Sequence, residues 1–356
     1  MTKPNKNSAP GEGGWIRNAW YAAGWASEAE AGKPLARTIL NQAVAIYRTE
    51  AGKAVALEDR CCHRLAPLSL GRVEGDCIRC MYHGLKFDPS GACVEIPGQE
   101  RIPADMKVRT FPLVEKQKLL WIWMGDPALA REEDILDWPY LDHPDWVYKQ
   151  DYLHYDANYL LIVDNLLDFS HLAFVHENTI GSMQLAERDP RIERQPFGLR
   201  MYRIMDNDIP PQFVKNLRGN DDRVDRWNIY DWHVRGNILA MDSGFVDVGT
   251  GGHEGKRENA VQFRHTSILT PETDGTTHYF FCQPRSFGLD KEGLTETIHQ
   301  TVVAAFKEDK AMIEAQQKII NIDPGAPMKA IKHDAGVFAV RKLIAEAMEE
   351  RAVAAE

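Results

Sequence analysis

The chain has 356 residues with 44% apolar and 26% charged side chains, a composition typical of a globular protein long enough for two domains. Its formal net charge of −10 argues against general affinity for nucleic acid or for an anionic membrane surface, because both repel an acidic protein. No apolar stretch is long enough for a signal peptide or a membrane span, so we expect a cytoplasmic protein.

Residues 15–125 are predicted to form a small all-β domain, because short β-prone runs alternate with turn signals. These runs are AVAIYRT, AVALEDR, LKFDPSGACVEI, KVRTFPLVE and KLLWIWMG. A passage rich in proline and acidic residues, GDPALAREEDILDWPYLDHPDW, follows and is the best candidate for a linker. We therefore place the first domain at residues 1–130 and the second at residues 131–356.

Two Cys/His pairs lie in the first domain, as Cys61-x-His63 and Cys80-x-x-His83. Two thiolates and two imidazoles in this arrangement are typical of a Rieske [2Fe-2S] centre, in which the cysteines hold one iron and the histidines hold the other. The alternative is a structural zinc site that uses Cys77-x-x-Cys80. Zinc modules usually combine two cysteine doublets, whereas each doublet here has one cysteine and one histidine. The pattern therefore favours an iron-sulfur cluster and electron transfer.

Four further cysteines have no place in this cluster, namely Cys62, Cys77, Cys93 and Cys282. They are too few to build a disulfide framework in a chain of this length, so we expect reduced thiols. A disulfide between Cys62 and Cys77, close to the cluster, is the alternative.

The first helix of the second domain, within VDNLLDFSHLAFVHEN, carries a second group of reactive side chains. Asn165, Asp168 and His171 are spaced by three residues and share one face of a helix. His176 lies about 140° around an ideal helix from His171, so both imidazoles reach one metal only if the helix ends or bulges between them. A lone histidine would be an ordinary core residue, but two histidines beside an acid and an amide predict a metal site.

A carboxylate ligand is predicted from the C-terminal helix, which begins near Thr295. Two histidines and one carboxylate form the facial triad of non-haem Fe(II) oxygenases. Asp309 falls within the apolar stripe of this helix, and a carboxylate that faces a core is costly unless it is paired or bound to metal. Glu308 points about 100° away and remains the alternative ligand. The predicted stripe comprises Ile298, Val302, Ala305, Met312 and Gln316.

These motifs resemble the oxygenase component of Rieske non-haem iron oxygenases, over nearly the whole chain. The most similar branch contains the vanillate and dicamba O-demethylases, and further matching segments are RNAWYAAGW, CMYHGLKFD, IVDNLLDFSH, SILTPET and FKEDKAMIEAQQ. The resemblance implies an α+β protein, with an N-terminal all-β Rieske [2Fe-2S] domain followed by a helix-grip catalytic domain of antiparallel sheet and helices. It also implies a head-to-tail homotrimer.

The resemblance assigns two metal centres to each chain. It implies one Rieske cluster and one mononuclear Fe(II), held by Cys61, His63, Cys80 and His83 and by His171, His176 and Asp309, respectively. Asp168 would bond to His171 and reach His83 of a neighbouring chain; otherwise it is a surface acid of the helix. Asn165 would lie close to the iron, or else satisfy local backbone groups.

The resemblance also implies a reaction with dioxygen and a partner. A separate NAD(P)H-dependent reductase with a flavin, with or without a ferredoxin, would supply electrons one at a time, because this chain has no Gly-rich dinucleotide motif. The expected reaction is O-demethylation of a small methoxylated aromatic acid with release of formaldehyde. Hydroxylation of a ring or methyl group and N-demethylation remain open alternatives.

Substrate contacts are predicted on the strands NILAMDSGFV and FRHTSIL, at Asn237, Met241, Ser243 and Ser267. Dicamba-type enzymes carry a tryptophan before the aspartate ligand, and TETIHQTVVAAFKED lacks it, which argues against dicamba itself. Two other classes of protein remain, a Rieske electron carrier and a zinc-stabilised binding protein. Iron content separates them, because the oxygenase needs about three irons per chain, the carrier about two and the zinc protein none.

Overall fold

The computed structural model describes residues 14–176, 183 and 187–349. Within these residues the chain divides into two compact units. The first unit comprises Arg17–Pro139 and Thr270–Asp274, and the second comprises the described parts of Met1–Ile16, Tyr140–Leu269 and Gly275–Glu356. The domain boundary predicted between residues 130 and 131 lies in a segment of short 3-10 turns.

The first unit is built from three small antiparallel sheets. They have the strand orders β1-β11-β10, β2-β3-β4-β9 and β5-β6-β7-β8. The strands are β1 (Trp20–Trp25), β2 (Leu35–Ile39), β3 (Gln42–Arg48), β4 (Ala54–Glu58), β5 (Arg72–Glu74), β6 (Cys77–Arg79), β7 (Lys86–Phe87), β8 (Cys93–Glu95), β9 (Thr110–Phe111), β10 (Leu113–Lys116) and β11 (Leu119–Trp123). The predicted all-β architecture of this region is confirmed.

The second unit has a seven-stranded antiparallel sheet with the order β12-β18-β17-β16-β15-β14-β13. Its strands are β12 (Gln150–Tyr155), β13 (Arg191–Gln195), β14 (Gly198–Asp208), β15 (Val224–His233), β16 (Ile238–Asp247), β17 (Val261–Pro271) and β18 (Thr277–Cys282). Its helices are α1 (Tyr159–Leu167), α2 (Leu172–Val175), α3 (Gln212–Arg218), α4 (Leu294–Ile322) and α5 (Ala335–Glu349). The predicted α+β fold class, with a large antiparallel sheet and helices, is confirmed.

One face of this large sheet carries the side chains that matter below. Tyr230 pairs with Met241, which pairs with His265, so these residues form one row across β15, β16 and β17. Because alternate residues of a strand share a face, the side chains of such a row lie on the same side of the sheet. The Phe306 ring of α4 packs against this face, with its centroid 5.6 Å from that of His265 and 5.3 Å from that of Tyr279.

Helix α4 buries a face that differs in part from the predicted stripe. Asp309 does lie on the buried face, but Met312 is 59% exposed and Gln316 is also exposed, so these two members of the stripe were wrong. The buried positions are spaced mainly by four residues, the spacing that aligns side chains along a helix. They are His299, Ala305, Asp309, Ile313, Gln317 and Ile320. In the described part of the chain, every helix is too short or too polar to cross a membrane.

Candidate metal centre

The chain between α1 and α2 is shaped by Asp168. Helix α1 ends at Leu167, and Asp168 has extended backbone angles, φ −105° and ψ 99°. The Asp168 carboxylate accepts hydrogen bonds from the backbone N–H (2.8 Å) and the hydroxyl (2.9 Å) of Ser170, which begins a 3-10 turn over Phe169–His171. Helix α2 then ends at Val175. The helix end that the spacing requires thus lies between the two histidines.

Three predicted side chains converge in the second unit. Asp309 Oδ1 lies 3.4 Å from His171 Nε2 and 3.1 Å from His176 Nε2. One ligand atom from each of the three residues lies within 4.8 Å of the others, and His176 and Asp309 are buried. Two imidazole nitrogens and one carboxylate at this separation match the donor set of a facial triad, so the residues fit a non-haem Fe(II) ion.

The outer nitrogen of each imidazole is engaged by another group. His171 Nδ1 is hydrogen-bonded to the main-chain carbonyl of Asp168. His176 Nδ1 lies 2.8 Å from Glu308 Oε2. A histidine that donates its Nδ1 proton keeps the lone pair on Nε2, so both rings are held in the tautomer that can bind a metal between them.

Asn165, Asp168 and Glu308 surround the three converging residues. The Asn165 amide donates a hydrogen bond to Asp309 Oδ1 (2.9 Å). The contact expected between Asp168 and His171 is made by the Asp168 main-chain carbonyl, because the Asp168 carboxylate is turned to Ser170. Glu308, the alternative ligand, contacts the side of His176 that faces away from Asp309.

Electrostatics in this cluster favour a charged carboxylate beside imidazoles. Burial alone would raise the pKa of Asp309, but His171 and His176 outweigh it and lower that pKa to about 2. Burial alone would lower the pKa of His176, but Asp309 and Glu308 outweigh it and raise that pKa. Cations are therefore stabilised at this position, as a site for a divalent metal requires.

Three of the four predicted substrate contacts lie on the sheet face described above. Met241 belongs to the row with Tyr230 and His265, and Ser243 and Ser267 share its face by strand alternation. Asn237 differs, because it lies in the turn before β16 at a φ of 51°. It is buried, with 1% of its surface exposed, and its contact with substrate stays a prediction.

The sequence did not single out a buried polar chain on the same face. His265 Nε2 lies 2.7 Å from Ser267 Oγ, which lies 2.6 Å from the Tyr279 hydroxyl. On its other side, His265 Nδ1 lies 2.5 Å from Gln283 Oε1. Burial lowers the pKa of His265 to about 4, against an opposing effect of Gln283, so this ring is neutral at pH 7. The spacing of His265 and Ser267 by two residues, which puts both on one face of the predicted strand FRHTSIL, was the available signal.

In the first unit, the two Cys/His pairs lie in two loops, one between β4 and β5 and the other between β6 and β7. Cys61 and Cys80 are buried, with 2% and 1% of their surface exposed, whereas His63 and His83 are exposed. The two imidazole ring centroids are 4.5 Å apart. Burial raises the pKa of the Cys61 thiol to about 11, and a hydrogen bond with Cys80 adds to this. Paired buried thiols and paired exposed imidazoles fit a cluster with a cysteine-bound iron inside and a histidine-bound iron at the surface.

The other cysteines of the first unit are free thiols rather than members of disulfides. Cys62 and Cys77 are both free cysteines, so the alternative of a disulfide between them was wrong. Cys93 is also a free thiol and is buried.

Two family models match the chain. The Rieske [2Fe-2S] domain matches residues 19–112, and the vanillate O-demethylase oxygenase C-terminal domain matches residues 155–350. The first match covers all four residues of the two Cys/His pairs, and the second covers the three converging residues of the metal centre.

Known proteins are similar over most of the chain. The iron-sulfur subunit of a toluene-4-sulfonate monooxygenase system from Comamonas testosteroni is 53% identical over 93% of this chain and 96% of its own. The oxygenase component of dicamba O-demethylase from Stenotrophomonas maltophilia is 38% identical over 85% of this chain and 88% of its own. A crystal structure of dicamba monooxygenase with non-haem iron and dicamba is 34% identical, with a TM-score of 0.81 over 96% of this chain and 99% of that one.

Proposed function

The chain belongs to the Rieske non-haem iron oxygenases of the vanillate O-demethylase type, and on this premise we propose that it hydroxylates the methyl group of a small aromatic acid. The chain is the oxygenase component of a multicomponent monooxygenase. The proposed substrate class is a methylarenesulfonate. The observation that carries it is the 53% identity to a subunit of a toluene-4-sulfonate monooxygenase system.

His171, His176 and Asp309 are the proposed Fe(II) ligands, and their convergence within 4.8 Å supports this assignment. The bound iron would supply a site that activates dioxygen beside the substrate. Asn165 would orient Asp309 through its hydrogen bond to Oδ1. Glu308 would fix the ring of His176.

Cys61, His63, Cys80 and His83 are the proposed cluster ligands of the Rieske domain. Asp168 is the proposed bridge between the two centres, because it adjoins His171 through its main chain and ends α1 beside the iron ligands. The iron site would receive its electron from the Rieske cluster of a neighbouring chain in a homotrimer. His83 of that chain would face Asp168 across the subunit boundary. Exposure of His63 and His83 supports this, since a buried histidine could not meet another subunit.

Electrons for the reaction come from another protein. Hydroxylation breaks one C–H bond, forms one C–O bond and reduces the second oxygen atom to water, which consumes two electrons and two protons in all. The proposed source is an NAD(P)H-dependent reductase that carries a flavin, alone or through a ferredoxin. The cytoplasm is the proposed location, and the free thiols of Cys62, Cys77 and Cys93 support a reducing compartment.

O-demethylation of a methoxylated aromatic acid is the second candidate, favoured by the 38% identity to the dicamba O-demethylase component. Both reactions begin at the C–H bond of a methyl group held near the iron. They differ in the atom that carries this methyl group, because a hydroxylated methoxy carbon loses formaldehyde and a hydroxylated aryl methyl carbon does not.

The test is turnover of purified protein that carries both metal centres, with NADH and a surrogate reductase. The panel contains toluene-4-sulfonate, 4-methylbenzoate and 4-methoxybenzoate, and ¹⁸O₂ labels the product. We expect a hydroxymethyl product from toluene-4-sulfonate that contains one ¹⁸O atom, without formaldehyde. Formaldehyde from 4-methoxybenzoate alone would support the second candidate instead. Absence of both a labelled hydroxymethyl product and formaldehyde from the whole panel would contradict both candidates.

A further inference from the structure

We infer that Arg203 forms an anion subsite of the catalytic unit, which binds the sulfonate or carboxylate group of the substrate. This inference rests on the proposed function, because it concerns how the same site selects an aromatic acid. It names a residue of β14 that none of the motifs above contains.

Among the described residues, Arg203 is a buried cation with no carboxylate at ion-pair distance. Asp189, whose pKa is lowered mainly by Lys332 and in part by Arg203, is itself paired with Lys332. Only 2% of its surface is exposed, and its Nε has no hydrogen-bond partner there. Its guanidinium donates from Nη1 to the Tyr230 hydroxyl and stacks on Phe169, 4.6 Å from the ring centroid. A buried charge is costly unless an opposite charge compensates it, so this position favours binding of an anion.

Other arginines of the second unit are arranged differently. Arg226, which is 6% exposed, is paired with Asp208 at 2.7 Å. Arg200, three residues before Arg203 on β14, is paired with Asp231 at 2.6 Å. Three more arginines have carboxylate partners within 2.6 Å, namely Arg218, Arg257 and Arg264. Because the fold provides carboxylates for these guanidinium groups, Arg203 stands apart from them.

The position of Arg203 connects it to the metal centre. Arg203, Asn228, Ser243 and Phe263 form one row across the sheet, next to the row that contains Tyr230, Met241 and His265. Its stacking partner, Phe169, begins the 3-10 turn that ends at His171. Arg203 therefore lies on the sheet face that carries the predicted substrate contacts, one side chain away from the turn that holds an iron ligand.

Arg285 is the other buried arginine without a carboxylate partner in the described chain, and its geometry excludes the same role. It is 3% exposed, and it donates to the carbonyls of Phe287 and Gly288 and to the Thr295 hydroxyl. Thr295 precedes Asp309 by fourteen residues of α4, which is about 21 Å along a helix. A substrate with a single ring is shorter than this distance, so Arg285 cannot hold it at the iron.

The free edge of the Arg203 guanidinium suits an oxyanion. With Nη1 engaged by Tyr230, the unpaired Nε and the remaining N–H groups can donate side by side to two oxygens of one sulfonate or carboxylate. Such charge-assisted pairs are stronger than hydrogen bonds between neutral groups. A neutral group of the same shape would gain little from Arg203.

Equilibrium binding separates this subsite from the reaction. Benzenesulfonate carries the anion but no methyl group, and benzenesulfonamide is its neutral analogue of nearly equal shape. Their dissociation constants are measured for the iron-loaded protein and for R203M, R203K and R200M. Arg200 is the matched control, because it lies on the same strand with its charge paired by Asp231.

We expect R203M to weaken benzenesulfonate binding about 10- to 100-fold while benzenesulfonamide changes by less than about threefold. R203K should lose part of this affinity, because an ammonium cannot donate as a planar fork. R200M should leave both constants unchanged. Equal losses for both ligands in R203M would show a structural role and overturn the inference, as would no loss for either.

Two further outcomes keep the inference testable. If R203M does not fold, the affinities of R203K serve as the test. A loss of affinity confined to benzenesulfonate supports the subsite, and unchanged binding of both ligands overturns it. If the unmutated protein binds benzenesulfonate through Arg203 but oxidises none of the aromatic acids, the proposed function fails while the subsite stands. Comparison of benzenesulfonate with benzoate then shows which oxyanion the subsite prefers.

Discussion

Each histidine of the candidate metal centre has its Nδ1 nitrogen engaged outside the site. His171 uses a main-chain carbonyl and His176 uses the side chain of Glu308. A main-chain partner cannot be lost by substitution, whereas Glu308 can. Outer carboxylates of this kind orient a ligand and raise its basicity, so Glu308 offers a direct test of how the ring of His176 is held.

The first prediction concerns Glu308→Ala, which removes the outer partner of His176. We expect Fe(II) affinity to fall about 10- to 100-fold, because the ring loses both its fixed orientation and its Nδ1 acceptor. Glu308→Gln keeps an oxygen that can accept this hydrogen bond and should restore much of the affinity. Anaerobic titration of the apo centre with Fe(II) measures both variants.

Glu314 supplies the matched control on the same helix. It is hydrogen-bonded to the backbone N–H of Asp156 at 2.8 Å and pairs with Lys310, away from the two histidines. Glu314→Gln should therefore leave iron affinity and the visible spectrum of the cluster unchanged. Equal iron affinity in Glu308→Ala and the parent protein would contradict the role given to Glu308.

At the scale of elements, the turn at Asp168 places His171, and the end of α2 at Val175 lies between the two histidines. An uninterrupted helix would separate His171 and His176 by about 140°. Between them the chain changes from the 3-10 turn to α2 and leaves helical geometry at His176, whose backbone angles are φ −112° and ψ 29°. The extended backbone at Asp168 separates this segment from α1. Asp168 thus has a local structural role as well as the proposed role in electron transfer.

The second prediction uses this double role. Asp168→Asn keeps a side-chain oxygen that can accept from Ser170, so the turn should persist and iron should still bind. Electron transfer should slow, because the proposed bridging carboxylate is gone. Single-turnover experiments that follow cluster oxidation measure this rate. A parental rate in the iron-loaded variant would refute the bridge.

Asp168→Ala distinguishes the two contributions. This variant loses the cap of the 3-10 turn and should cost about 1 kcal/mol of local stability. We therefore expect weaker iron binding in Asp168→Ala than in Asp168→Asn. Identical iron content in the two variants would mean that the carboxylate does not shape the turn.

At the scale of the whole molecule, the proposed trimer requires two chains for each turnover. One chain supplies the cluster, and its neighbour supplies the iron site. Asp309→Ala should lose turnover but keep the cluster spectrum. His83→Cys should retain iron at the mononuclear centre but change the cluster. If electrons pass between neighbouring chains, each variant is inactive alone and mixed trimers are active.

The third prediction is the fraction of parental turnover that trimers mixed from the two variants should recover. In a head-to-tail ring assembled from equal amounts of both variants, about a quarter of the boundaries join an intact cluster to an intact iron site. Co-expressed and co-purified variants should thus recover about a quarter of parental turnover. Mixing after separate assembly serves as the control. No recovery in the co-assembled protein would place the electron path within one chain.

The sequence indicated the three residues that converge in the structure, His171, His176 and Asp309, because ligand residue types and their spacing can be read locally. The spacing by three residues connects Asn165, Asp168 and His171 on one helix face. Asp309 was recognisable because a carboxylate is unusual on the apolar face of a helix. The third-ligand choice also separated Asp309 from Glu308, which the structure places on opposite nitrogens of His176. The predicted burial of Met312 and Gln316 was wrong because an apolar stripe gradually rotates around a long helix. Only the packing against neighbouring elements decides which residues at its border are buried.

By itself, the sequence determined the fold class, the all-β first unit and the residue types that can bind iron, because periodicity and ligand spacing are properties of neighbouring residues. Only the tertiary structure decided that His265, Ser267 and Tyr279 form one polar chain and that, among the described residues, Arg203 is buried without an ion-paired carboxylate. These residues are distant in sequence, and strand register rather than local pattern brings them to one face. Side-chain partners across a sheet are therefore fixed only once its strands are ordered.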